Sequence, residues 1–382
     1  MTRRISVLPV PQNSRYVAIL PAPVEGSVPI LSPGTDDKTW ERLYQFCFQK
    51  PYEPKKFMQL IGVSTQISNR IWEVLWCSIP TQEFHFQPKH LLWTLYHLKN
   101  YGAADFNEFG VCYKTFRLWT WKIIEALHAS VNDVSKQSTQ NNKPANSRSN
   151  LTPLTPTSCF FFPSQVTLSD RFHPPLGPQE SLRSPLVSQK ARMVLCSMET
   201  LTRKPTDPKT QTEMYSPTAG GFSLKYHCCL RDGDGKICWG YGPVPGSLQE
   251  LEILQQGGLH NLLEPGECVV AGAEFPVYPG VVTTRNFESL LPSKGGEHCE
   301  AESEAIRRDL KSLRQAGRRT MEVLKSFKCL TESWRYELNQ HGVVFMVCLQ
   351  LTNLIVTTHK SDNQNNDGGD GLDSGQGATG EK

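Results

Sequence analysis

Apolar residues recur at helical spacing through the first third of the chain. ERLYQFCFQ, NRIWEVLWCSI and KHLLWTLYHLKNYG each set large side chains three and four apart, which predicts amphipathic helices. Gly62 and Gly102 punctuate these segments, and Pro88 stands where a first helical turn tolerates proline. Ser64 reads as an N-cap for the helix that carries Ile71 and Trp72. Five of the eight tryptophans lie between Trp72 and Trp121, and Trp40 is a sixth, so residues 39–130 read as a helical, aromatic-rich domain.

The pattern then changes. Residues 1–38 are rich in proline and polar side chains and read as a flexible arm, and residues 131–190 (SKQSTQNNKPANSRSNLTPLTPTS, later HPPLGPQESLRSP) as a disordered linker with no packed core. From about residue 191 strands and helices alternate. ARMVLCSM is a strand; LKYHCCLR and KICWGYG flank DGDG as a hairpin. SLQELEILQQGG is a helix stopped by glycine, and ECVVAGAEF is a buried strand. AESEAIRRDLKSLRQAGRRTMEVLKSFKCL is a long helix, with Gly317 the point at which a break would fall. VVFMVCLQLTNLIV is apolar throughout and fits either a helix or a strand. The Asn-, Asp- and Gly-rich tail, 359–382, reads as disordered and acidic. Strand, hairpin, helix, strand, long helix is the order of an α/β domain with a ribonuclease-H-like mixed sheet, over 191–358. An all-α, helix-turn-helix-like domain precedes it.

Bulk properties narrow the function classes. A length of 382 residues accommodates two or three domains. The net charge of +3, from 40 basic and 37 acidic residues, is only weak support for a nucleic-acid partner. Twelve cysteines without a CxxC pair argue against a disulfide framework and against a zinc cluster. Reduced thiols suit a nuclear or cytoplasmic protein, not a secreted one. The opening MTRRISVLPVPQNSRY lacks the apolar core of a signal peptide, and no stretch approaches the roughly 20 apolar residues that cross a bilayer, so no membrane partner is expected.

Candidate DNA contacts cluster in Tyr113-Lys-Thr-Phe-Arg117. A helix-turn-helix places its second helix in the major groove with polar residues near that helix's start. Asp105–Gly110 would supply the first helix and turn, and Lys114, Thr115 and Arg117 would reach phosphates or base edges. Trp119, Trp121 and Ile124 would anchor the second helix. The plainer alternative is a packing domain with Lys114 and Arg117 as solvated surface. Arg307, Arg308, Lys311, Arg314, Arg318 and Arg319 recur at three- and four-residue intervals. They suit either a DNA-backbone track or a solvated face neutralised by Glu302, Glu304 and Asp309. Asp232 and Asp234 read as turn residues; His227, His298 and His341 show no metal spacing and read as structural or exposed.

The C-terminal half resembles the DDE endonuclease domain of Harbinger/PIF-like transposases. KICWGYGPVPGSLQELEIL is similar to that family's Trp–x–x–GP–x–P–G run and helix; LLEPGECVVAGAEF is similar to its PGE…AD–x–GY strand. LRQAGRRTMEVLKSFKCL and HGVVFMVCLQLTNLIV resemble its long and closing helices. KHLLWTLYHLKNYGAADFNEFGVCYKTFRLWTW resembles the DNA-binding region in front, and the matches together cover about two thirds of the chain. In nucleases of this kind three carboxylates hold two divalent ions about 4 Å apart. The resemblance puts Cys196, Gly272 and Arg318 in the places of those acids. It thus implies a transposase-derived module with no catalytic residues, no metal and no cofactor, bound to DNA and, as in Harbinger elements, to a separate protein. The alternative is an active endonuclease with Mg or Mn held by displaced acids: Glu199, three residues past Cys196; Glu274, two past Gly272; and Glu322, one turn past Arg318.

Overall fold

A computed structural model describes residues 37–78, 86–101, 109–140, 164–167, 191–231, 235–263, 267–272, 275–276, 278–283 and 300–367. Five helices form the first half: α1 (Asp37–Phe48), α2 (Pro54–Ile61), α3 (Thr65–Ser78), α4 (Pro88–Asn100) and α5 (Tyr113–Gln140). Their boundaries follow local chemistry. Pro54 and Pro88 open α2 and α4, where a missing N–H costs nothing. Gly62, at φ 89°, takes the left-handed conformation that ends α2 and returns its N–H to the Met58 carbonyl. Ser64 caps α3, its hydroxyl accepting the Ile67 N–H at 3.3 Å. Trp40, Leu43, Tyr44, Cys47 and Phe48 give α1 its buried stripe, and α4 is buried on nearly every side.

The second half is built on a seven-stranded sheet: β1 (Ser164–Thr167), β2 (Ala191–Leu201), β3 (Tyr215–Ser216), β4 (Gly221–Arg231), β5 (Ile237–Pro245), β6 (Cys268–Val270) and β7 (Val281–Val282). Its order is β1-β5-β4-β2-β6-β7, with β3 on β4. β2 and β4 pair antiparallel, as do β4 and β5, whereas β2/β6 and β6/β7 pair parallel. Two helices lie among these strands, α6 (Pro208–Met214) and α7 (Glu250–Gly257), and α8 (Glu300–Lys325) and α9 (Leu338–Asp367) follow them.

Side-chain parity along β2 divides the core. Val194 and Met198 belong to one apolar cluster with α8, α9 and the N-terminal helices, with Cys196 packed against it. Leu195 belongs to a second cluster with β6, α7 and Phe275. The first cluster runs without interruption from Trp40 and Trp72 to Phe345 and Leu349, so the helical half and one face of the sheet share a core.

Several expectations need revision. The long helix does not break at Gly317: α8 is continuous, and Gly317 is buried where the helix crosses β2. A Cβ there would stand 3.0 Å from Val194 Cγ1. Glycine is needed for close approach, which outweighs its poor helix propensity. Gly317→Val is therefore expected to destabilise the fold by about 1–3 kcal/mol, as overpacking does, in urea unfolding. An unchanged midpoint would contradict this contact. α5 continues to Gln140, and β1 pairs with β5 from inside the stretch read as a linker, while α9 runs to Asp367, past the expected domain end at 358. The closing segment is a helix, and its part Leu338–Thr358 is long and apolar enough to cross a membrane, contrary to the expectation that no stretch is. Most of that part is buried within the protein. The arm before residue 37, most of Asp105–Gly110, Asp232, Asp234, Glu274, His298 and the tail beyond 367 lie outside the described residues.

Candidate functional site

The parallel pairing of β2 and β6 sets the segments that carry two of the three acid positions side by side. Val194 pairs with Val270 at the end of this ladder, and Cys196 and Gly272 each lie two residues farther along their chains. Cys196 shares the parity of Val194 and packs against the cluster on the α8–α9 side, whereas Gly272 lies past the end of β6. The third position lies on the helix that covers this face: Arg318 directly follows Gly317, which rests on Val194. Cys196, Gly272 and Arg318 thus lie on β2, just past β6 and on α8. They present a thiol, no side chain and a guanidinium, and none supplies the hard oxygen that magnesium requires. This residue set does not fit a pair of divalent cations.

The displaced acids fare differently. Glu199 is an odd number of residues from Cys196 and projects from the other face of β2, where its carboxylate accepts a hydrogen bond from the Ser223 hydroxyl. Glu322 is exposed, one turn beyond Arg318. Among the described residues, no group of three or more His, Cys, Asp or Glu is placed to hold a metal ion.

Face-to-face with Glu199 is a polar group that sequence spacing missed. His227, opposite Ser197 in the ladder, is fully buried, and its Nε2 is hydrogen-bonded to the Glu250 carboxylate at the start of α7. Lys225 stands 3.7 Å from the other Glu250 oxygen and donates to the Leu248 carbonyl at 2.9 Å. Burial acts to raise the Glu250 pKa, but the hydrogen bond and charge of His227, with Lys225, outweigh it and leave it below the usual carboxylate range. The Lys225-x-His227 alternation places both side chains on one face and is visible in sequence; their partner Glu250 is not.

On α5, Lys114 is exposed and Thr115 half-buried, its hydroxyl 3.2 Å from the Cys112 thiol. The Arg117 guanidinium lies 5.0 Å from the centre of the Tyr336 ring, in the segment leading to α9. Trp121 meets Trp334 and Tyr336 edge-on, while Trp119 stacks on His90 at 4.1 Å. The three predicted DNA-contacting residues are thereby kept together at the start of one helix, and that helix is anchored to the sheet half.

The basic positions of α8 also resolve into a pattern. Ile306, Leu310, Leu313, Leu324 and Gly317 face inward, and Arg308, Lys311, Arg318, Arg319 and Lys325 are exposed. Arg307, Lys311, Arg314, Arg318 and Lys325 fall within one narrow stripe at 3.6 residues per turn, flanked by Glu304 and Glu322.

Residues 196–353, less than half of the chain, match the family model of the DDE superfamily endonuclease. No curated protein matches, and no solved structure matches. The matched stretch starts at Cys196, within β2, and ends in α9, so it takes in the mixed sheet beyond β1 and both covering helices.

Proposed function

We propose that the chain is a transposase-derived protein of the Harbinger type that binds DNA without cutting it. The observation that carries this reading is the residue set Cys196, Gly272 and Arg318 at the three positions that the resemblance assigns to the acids, on β2, just past β6 and on the helix that crosses β2. Two-metal strand cleavage needs converging carboxylates to neutralise the ions and position the attacking oxygen. A guanidinium at the third position repels such ions and attracts the phosphates they would have bridged.

Other features support the same reading. The strand order, with β4 antiparallel to both neighbours and β2/β6/β7 parallel, supports the reading of a ribonuclease-H-like sheet. The match to the DDE superfamily endonuclease makes DNA the natural partner of this domain. The stripe on α8 suits a phosphate backbone, and α5, with Lys114, Thr115 and Arg117 in its first turns, suits the second helix of a helix-turn-helix. A nuclear site of action and a separate protein partner accord with this reading.

The test is direct. Calorimetric titration of the full chain with magnesium or manganese is expected to give no binding at micromolar strength. Binding to a DNA duplex is expected to be unchanged by EDTA, and supercoiled plasmid to stay intact with either metal. Micromolar metal binding removed by Glu274→Ala, or metal-dependent nicking removed by Glu322→Ala, would establish an active endonuclease with displaced acids instead.

A further inference from the structure

The junction between the two halves carries a concentration of cations that no step of cleavage or base reading uses. Its frame is a short parallel bridge between Thr202 and Trp334: the Trp334 N–H donates to the Leu201 carbonyl at 2.8 Å and the Arg203 N–H to the Trp334 carbonyl at 3.2 Å. Arg203 and Arg335 each adjoin this bridge and are therefore neighbours. Arg335 donates its backbone N–H to the Tyr101 hydroxyl at 2.8 Å, and its guanidinium lies 5.8 Å from the Tyr101 ring centre. Burial, ahead of the opposing pull of Arg335 and Arg203, pushes Tyr101 up to about 12. Lys328 is exposed on the 3-10 turn after α8, which packs against α4; burial first, and then the charge of Lys328, lowers Lys99. Tyr336 packs 5.9 Å from Tyr101 and supports Arg117 on its ring. The acids of the same segment are Glu332 and Glu337.

Two features select the ligand. Guanidinium groups held against aromatic rings lose little further freedom on binding, and a planar fork suits phosphate oxygens. The patch also follows on from α8: Arg318 and Lys325 lie on its exposed stripe, about 11 Å apart at helical rise, and Lys328 comes three residues after its end. By contrast, the junction lies about 20 Å along β2 from Cys196, beyond the edge itself. We infer that the junction is a second phosphate-binding surface, on which a DNA duplex lying along α8 continues onto Arg203, Lys328 and Arg335, where the sheet half meets the helical half. This rests on the DNA-binding reading above, and adds where the duplex runs.

The experiment is fluorescence anisotropy of a labelled random-sequence duplex against the full chain over a range of salt. Each phosphate contact contributes about 0.9 to the slope of log Kobs against log salt. Arg203→Gln/Lys328→Gln is expected to reduce that slope by about 1–2 with the urea midpoint unchanged, and Arg203→Lys/Lys328→Arg to restore it. An unchanged slope in the Gln variant, while Arg314→Gln/Arg318→Gln lowers it, overturns the junction surface and leaves the DNA-binding reading standing. Wild-type protein that fails to bind the duplex overturns both. Retention of polyglutamate without retention of duplex overturns the choice of nucleic acid as the ligand.

Discussion

Trp334→Ala is expected to cost about 3–5 kcal/mol in urea unfolding, the range for emptying a buried aromatic site. The ring is 1% exposed. It stacks on Tyr101 at 5.4 Å with 6° between planes and meets Trp121 and His341 edge-on at 6.3 and 4.7 Å. Its indole N–H donates to the Glu337 carbonyl at 3.0 Å, and its backbone bridges to Thr202 at the end of β2. One side chain therefore touches α5, α9 and the residue that ends α4 at once. Because the helical half and the sheet half share one apolar cluster, the wild-type protein should unfold in a single transition. Removing the indole should both lower the midpoint and split that transition. Trp334→Phe, which keeps a ring against Tyr101, should lose less and remain single. A loss below about 1 kcal/mol for alanine, well under the usual cost of a vacated aromatic site, would mean that the halves are held elsewhere.

What was legible in the sequence follows the range of each interaction. The hairpin β4–β5, the buried β6 and the helix α7 stopped by Gly258 all arise from local alternation and turn chemistry, and all stand where the pattern puts them. The closing element stayed ambiguous because α9 is apolar on most of its circumference, being packed between the sheet and α5. Periodicity vanishes when every side is buried. Gly317 read as a break because propensity is local, whereas its contact with Val194 is not. Ser164–Thr167 gave no signal, since four residues in a polar stretch form a strand only by pairing with β5. At the site, Cys196, Gly272 and Arg318 were singled out by resemblance to motifs, whereas the placing of β6 beside β2 needed the register of the sheet. Glu199 is set apart from Cys196 by parity alone. The junction was invisible: Tyr101 and Trp334 meet across more than two hundred residues and leave no spacing to read.

Acid should destabilise this fold well before its carboxylates titrate. His341 is fully buried, its Nδ1 hydrogen-bonded to the Tyr226 hydroxyl, and burial holds its pKa at about 3. His90 is 4% exposed, stacks on Trp119 and accepts the Gln87 N–H; burial first, then Lys89 and Lys122, lowers it to about 3. In the unfolded chain each imidazole titrates near 6.5. His97 is held at about 4 by burial first and then Arg117. Between about pH 6.5 and 3 the unfolded state therefore binds protons that the folded state refuses at His341 and His90, and at His97 down to about pH 4, and unfolding becomes easier as pH falls through that window. Above it neither state is protonated and the effect is absent. Each histidine contributes about 1.4 kcal/mol per pH unit, so moving from pH 7 to pH 5 should remove about 6 kcal/mol. Glu250 and Asp207, whose pKa values lie below the ordinary range, add their own loss only at lower pH, as protons reach carboxylates that the fold keeps ionised. Urea unfolding across pH 5–8 reads this slope. His341→Gln should flatten it by about one proton's worth, and a profile level from pH 8 to pH 5 would show that these imidazoles take up protons without leaving their buried sites.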